Sequence, residues 1–187
     1  SCCHRDSHPI ACEIRLMRLS VPGRQLVHAR IIDLTERNLA EAMRSGQSAL
    51  LEMVAKGAPL IPTLNQLLLL IEGQSRGVLC SIMLLDDDGI HMHSAAGPSL
   101  PPAYMALLEG VAIGPGVGSC GTAMFRREAV VVSDIMHDPL WAPYRELAAP
   151  FGLRACWSRP IFGQDGAVLG SFAMYYRDVR SPDAHDL

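Results

Sequence analysis

Between Ile113 and Ala123 the chain reads Ile-Gly-Pro-Gly-Val-Gly-Ser-Cys-Gly-Thr-Ala, with four glycines in eight positions, and Met124 to Arg127 follow with helix-forming character. A backbone without Cβ atoms lets a ligand approach closely, and a helix start offers free N–H groups at the positive end of its dipole. That chemistry suits a small anion or polar molecule; a tight turn whose glycines serve only the turn is the alternative. The run is not a Walker loop, since no Lys follows its last glycine, nor a dinucleotide motif, since no strand plainly precedes it. Gly118, Ser119, Cys120 and Thr122 are the candidate ligand contacts. Cys120, at the helix start, occupies a place where a thiol's pKa can fall and its nucleophilicity rise. Further along, Trp157 and Tyr175 are candidates to close the apolar side of a pocket, with ordinary core packing as the alternative.

Other residues capable of chemistry are less organised. Cysteines stand at 2, 3, 12, 80, 120 and 156, too scattered for a CxxC site and too few for a disulfide scaffold, so they read as reduced thiols. His91 and His93 share one face of a strand, but no third ligand is close in sequence, so they read as a solvated pair and no metal is assigned. Asp86-Asp87-Asp88-Gly89 lacks the later bidentate Glu of a calcium loop and reads as a loop tip.

Sixteen Lys+Arg against 19 Asp+Glu leave a formal charge of −3 on 187 residues, and 49% of the chain is apolar. Such a chain can bury a core, and its near-neutral balance lacks the basic footprint of a nucleic-acid binder. The longest strongly apolar stretch, Leu67 to Ile71, falls far short of the ~18 residues a membrane helix needs. The chain starts at Ser1 without Met or an apolar signal core. It therefore reads as a cytoplasmic piece of a longer protein.

The elements that must position the glycine run are legible in outline. Residues 9–19 and 25–32 are extended runs around the turn Ser20-Val21-Pro22-Gly23, which predicts an antiparallel hairpin. From residue 36 to 57 the period changes. Leu39, Met43, Gly46, Leu50, Met53 and Gly57 recur at 3–4 spacing, the seam of a helix packing on another helix, and Leu39, Met43, Leu50 and Met53 are the expected homodimer contacts. Pro59 breaks that helix. Leu60 to Glu72 forms a second, apolar over most of its girth and so expected to be buried. Strands are predicted over Val78–Leu85 and Ile90–Ala95, then a short helix over Pro101–Glu109. A strand over Ala129–Ile135 precedes a helix opening at Asp138-Pro139 and running to Ala148. Strands within 155–161 and 168–176 flank the turn at Gln164-Asp165-Gly166. Around one mainly antiparallel sheet this is an α+β chain with helices on the sheet faces.

Two resemblances follow. The hairpin, with Asp33-Leu34-Thr35-Glu36-Arg37 after it, resembles the C-terminal end of a PAS domain running into a signalling helix. Asp33 can there accept from the first helical amides and Thr35 can serve as helix cap. That assigns 1–35 to a PAS hairpin and 36–57 to a linker helix. The run 114–123, the Val-Val-Ser-Asp-Ile strand, Asp138-Pro139-Leu140-Trp141, the stretch 152–161 and the stretch 166–176 resemble a bacterial GAF domain. It would occupy 58–187, with its first helix starting as early as 46 and its C-terminal helix lying beyond the chain. The resemblance implies a central antiparallel sheet of about six strands and a small-molecule pocket between one sheet face and covering loops. It is similar to GAF modules that follow PAS domains in two-component sensor histidine kinases and in proteins that make or cleave cyclic di-GMP (GGDEF or EAL outputs). The module itself would be a ligand sensor and not an enzyme, with its output domain elsewhere. Ligands of such folds include cyclic nucleotides, haem, bilins and nitrate, so no cofactor is assigned. The run 118–123 also resembles the cysteine loop of free methionine-(R)-sulfoxide reductases, which are GAF proteins. Their downstream Gly-His-Ile-Ala-Cys segment is replaced here by Asp138-Pro139-Leu140-Trp141-Ala142-Pro143. A ligand-free dimerisation spacer is the third alternative.

Overall fold

A computed structural model describes residues 2–3, 9–21, 24–75 and 77–182, in two compact units divided at Glu52/Met53. In the first unit, β1 (Cys2–Cys3) pairs with β2 (Pro9–Ile10), and β3 (Cys12–Val21) pairs antiparallel with β4 (Arg24–Asp33) from Cys12↔Asp33 to Val21↔Arg24. Alternation puts Ile14, Leu16, Val27 and Ile31 on one face of this hairpin, and each is more than half exposed. Helix α1 (Thr35–Ala55) begins where Asp33 Oδ1 accepts from the Thr35 amide at 2.8 Å. It contains no buried residue: Leu39 is exposed and Met43, Leu50 and Met53 are half-buried. The seam read from the sequence is thus uncovered in a single chain.

The second unit holds α2 (Leu60–Glu72) and a six-stranded sheet, every neighbouring pair antiparallel, in the order β7–β6–β5–β10–β9–β8. Its strands are β5 (Leu79–Leu85), β6 (His91–Ala96), β7 (Val111–Ala112), β8 (Val130–Val132), β9 (Ala155–Phe162) and β10 (Val168–Tyr176). β7 is a departure from the sequence reading, which saw no strand before the glycine run. Two residues carry no periodicity, so only pairing with His91 and Met92 defines it. At the centre of the sheet Gly170 passes so close to β5 that a Cβ there would overlap the Met83 carbonyl oxygen.

The two sheet faces carry separate cores. On one, α2 sets Leu68 over Cys80, Ile82, Ala155, Trp157 and Tyr176. The helix is buried on that side only; Leu60, Ile61 and Leu69 stay exposed. The expectation that all of it would be buried fails because a helix lying on a sheet presents one stripe to it. On the other face α3 (Pro102–Ala106), α4 (Gly118–Arg126) and the segment 138–151 cover Met83, Cys156, Ala173 and Tyr175. The helix predicted from Asp138 to Ala148 is in fact two pieces, a 3₁₀ turn at Pro139–Trp141 and α5 (Arg145–Ala148). Pro143 lies between them and cannot continue the first piece. Asp138 does cap the first, accepting from the Leu140 amide at 2.9 Å.

Candidate functional site

Helix α4 starts at Gly118, whose φ of +53° is left-handed backbone that favours glycine. The indole of Trp141 lies over it, 3.5 Å from where a Cβ would stand. One turn on, a Cβ at Gly121 would come within 2.7 Å of Val117 Cγ1. These two glycines are therefore required to seat the loop and its covering tryptophan on the sheet.

The polar residues of the run divide by role. Thr122 Oγ1 accepts from the Val117 amide at 3.1 Å and closes the loop on itself. Ser119 Oγ donates to the Cys156 carbonyl at 3.0 Å and accepts from Trp141 Nε1 at 3.0 Å, tying cover to sheet. Cys120 Sγ lies 3.4 Å from the Tyr175 hydroxyl. Tyr175 in turn meets the ring of Tyr104 edge-on, with centroids 5.7 Å apart. The Tyr104 hydroxyl is buried and forms no hydrogen bond of sound geometry among the described residues.

Together these residues wall a cavity between the sheet and its cover. Tyr104, Leu108, Val117, Cys120, Trp141 and Tyr175 are its principal walls, and no charged side chain lines it. The free space is about 30 Å³, room for one or two waters. The structure thus brings Gly118, Ser119, Cys120 and Tyr175 to one cavity. Thr122 is spent inside the loop. Trp157 is not brought there at all: strand alternation turns it to the opposite face. Its ring packs 4.6 Å from Tyr176 and its Nε1 donates to the Arg180 carbonyl. Tyr104, Leu108 and Trp141 are wall residues that sequence reasoning did not assign. Only the Asp138-Pro139 cap, which fixes where Trp141 falls, could have pointed to any of them.

Burial governs the acid–base chemistry here. It pushes the Tyr104 and Tyr175 hydroxyls and the Cys156 thiol well above their ordinary ranges. Cys120 moves the other way. A hydrogen bond from Cys156 outweighs its desolvation, and Tyr175, Ser158 and Ser171 add theirs, so its thiol ionises below the usual range.

Elsewhere, His91 Nδ1 contacts Asp88 at 2.5 Å and His93 Nδ1 contacts Asp86 at 2.7 Å, which ties the β5–β6 loop tip to the following strand. No group of three or more His, Cys, Asp or Glu among the described residues could hold a metal ion. No helix among them is long and apolar enough to cross a membrane.

Comparison with known proteins supports the architecture. The GAF domain family matches residues 59–187. The Methyl sulfide methyltransferase-associated sensor of Methanosarcina acetivorans is 38% identical over 157 residues, 84% of this chain; the aligned part is 16% of that protein's length. Free methionine-R-sulfoxide reductase from Neisseria meningitidis, solved with its substrate, superposes with a TM-score of 0.59 at 19% identity, over 79% of this chain and 78% of that one. The GAF domain of a phosphoenolpyruvate-protein phosphotransferase from Coxiella burnetii gives 0.58 at 19% identity, over 80% and 84%. At such identities these two superpositions speak for the fold alone. The antiparallel six-stranded sheet, the helical cover over one face and the match across residues 59–187 lead to one conclusion: this chain belongs to the GAF domain family.

Proposed function

We propose that this chain is the regulatory small-molecule-sensing module of a multidomain cytoplasmic signalling protein, a histidine kinase or a cyclic di-GMP enzyme, and that ligand state leaves it through helices. The carrying observation is the narrow, uncharged pocket between the sheet and its cover of α3, α4 and Trp141. With about 30 Å³ free inside it, a metabolite reaches the wall formed by Tyr104, Cys120 and Tyr175 by displacing the cover outward. Binding and displacement of the cover are therefore one event, which is what a sensor needs. The relative from Methanosarcina acetivorans, itself called a sensor, is consistent with that role.

The expected ligand was a small polar or anionic molecule. Walls without a charged side chain disfavour an anion, since a buried charge needs a partner. The better fit is a small uncharged molecule with an apolar body and one polar group held by the Tyr104 hydroxyl or the first amides of α4. The hairpin's bare face of Ile14, Leu16, Val27 and Ile31 suits a strand pair that belongs to a larger sheet, in keeping with the end of a PAS domain. The uncovered seam of α1 suits a homodimer.

A thermal-shift screen tests the central reading, with neutral alcohols, amides and thioethers set beside nitrate, phosphate, cyclic nucleotides, amino acids and small carboxylates. A saturating ligand raises stability by ~2.7 kcal/mol at a hundredfold excess over Kd. A stabilising neutral compound is expected; stabilisation by anions alone would contradict the ligand class.

A sulfoxide reductase is the second reading, favoured by Cys120 in the cavity wall. Turnover of methionine sulfoxide with a thioredoxin system, lost in Cys120→Ser, would establish it. No turnover is expected, because the segment 138–143 supplies no second cysteine.

A further inference from the structure

Helix α4 opens without a cap. Val117 stands where Ser, Thr, Asp or Asn would accept from the first amides, and it has no acceptor side chain. The two hydroxyl side chains close by are committed elsewhere, Ser119 to the Cys156 carbonyl and Trp141, Thr122 to the Val117 amide. The amides of Gly118, Ser119 and Cys120 therefore meet no acceptor among the described residues. Nor do they lie at the surface, since all three residues are buried. The same three residues line the cavity.

A second, independent donor stands in the same wall. Tyr104 comes from α3, is 2% exposed, and carries a buried hydroxyl without a partner among the described residues. Its ring is held edge-on by Phe151 at 5.4 Å and by Tyr175 at 5.7 Å, so the hydroxyl stays where it is. The Tyr175 hydroxyl beside it is paired with Cys120. Leaving buried donors unpaired is costly. This cavity thus gathers N–H and O–H hydrogens from two separate elements with no oxygen to receive them.

Resting on the sensing reading above, we propose that the ligand is a small ketone or tertiary amide. Its carbonyl oxygen accepts from the Tyr104 hydroxyl and from the first amides of α4, and its apolar body lies against Leu108, Val117 and Trp141. The class follows from counting hydrogens. A carbonyl oxygen has two lone pairs and brings no hydrogen of its own, so it lowers the surplus of donors. An alcohol adds one more O–H to that surplus, a hydrocarbon relieves none of it, and a thioether is a weak acceptor. A carboxylate accepts strongly but buries a charge where no charged side chain answers it.

The experiment compares probes of one shape on the whole chain: cyclopentanone and N-methylpyrrolidone against cyclopentanol, methylcyclopentane and cyclopentanecarboxylate, with Kd taken from ligand-dependent melting. The two carbonyl compounds should bind at least about tenfold more tightly than the alcohol and the hydrocarbon. In the infrared, the carbonyl stretch of bound cyclopentanone should fall below its position in hexane, the sign of an oxygen that accepts hydrogen bonds. Tyr104→Phe should melt no lower than the parent without ligand, because the hydroxyl it removes has no partner. The same variant should weaken cyclopentanone about tenfold and leave methylcyclopentane unchanged. An alcohol, hydrocarbon or carboxylate that binds as tightly as the ketone, or a carbonyl band at its hexane position, overturns the carbonyl assignment and leaves the sensing reading standing. Absence of stabilisation by this series and by the wider screen removes both. The parent chain's affinities and infrared band decide the matter even if the variant does not fold.

Discussion

Trp141 Nε1 and Ser119 Oγ meet at 3.0 Å, and through the same hydroxyl Trp141 is linked to the Cys156 carbonyl of the sheet. Removing that oxygen strands two buried polar groups, each with a desolvation cost of about 1–3 kcal/mol. Ser119→Ala should therefore lower stability by at least ~1 kcal/mol in urea unfolding and shift the emission of Trp141. An unchanged midpoint would mean that the cover is held by packing alone.

Glycines at two positions should respond in opposite ways. Gly170→Ala pushes a methyl into the Met83 carbonyl and should yield insoluble or unfolded protein, whereas Gly116→Ala meets open space and should express and melt like the parent. Circular dichroism melts distinguish the two. A soluble, folded Gly170→Ala variant would show that β5 and β10 can part there.

Acid should loosen the β5–β6 loop tip. Asp88 is held down to about 2, chiefly by the His91 side chain and then by the His91 and Ile90 amides, and Asp134 is lowered by His137 first. Each is an acid whose folded pKa lies below its unfolded value. Its contribution is therefore complete above the ordinary carboxylate range of about 4 and is lost as pH falls through the folded value. Tm should decline below about pH 4. Asp88→Asn, which keeps the acceptor oxygen but not the charge, should flatten that decline; an unaltered acid profile would count against it.

The seam of α1 gives a solution test. Sedimentation at micromolar concentration should show a dimer that Leu50→Asp converts to monomer. A parent that is already monomeric, or a dimer indifferent to the substitution, would remove Leu39, Met43, Leu50 and Met53 from the interface.

What the sequence reveals divides along physical lines. The β3–β4 hairpin, the helix stop at Pro59 and the long sheet strands are written locally, in period and in turn residues. Strand β7 is written only in its partner, and α2 shows that an apolar girth does not imply burial on every side. At the site, the glycine run announced where the backbone had to come close. It did not say to what: Gly118 supplies the left-handed turn that starts α4, and Trp141, itself outside the run, lies over it. Trp157 and Tyr175 had the same apparent claim on the pocket. Strand register sends one to each face. Tyr104 lies on a short helix far along the chain, and only the folded sheet brings it beside Tyr175.

The central claim is that ligand enters between Tyr104, Cys120 and Trp141. Hydrogen–deuterium exchange of the whole chain, with and without the most stabilising compound of the thermal screen, tests it most directly. Protection is expected over residues 104–120 and 139–147, and it should weaken in Tyr104→Phe. Protection confined to the open groove at Asn65, Gly97 and Glu109, or none in either cover segment, would contradict the account.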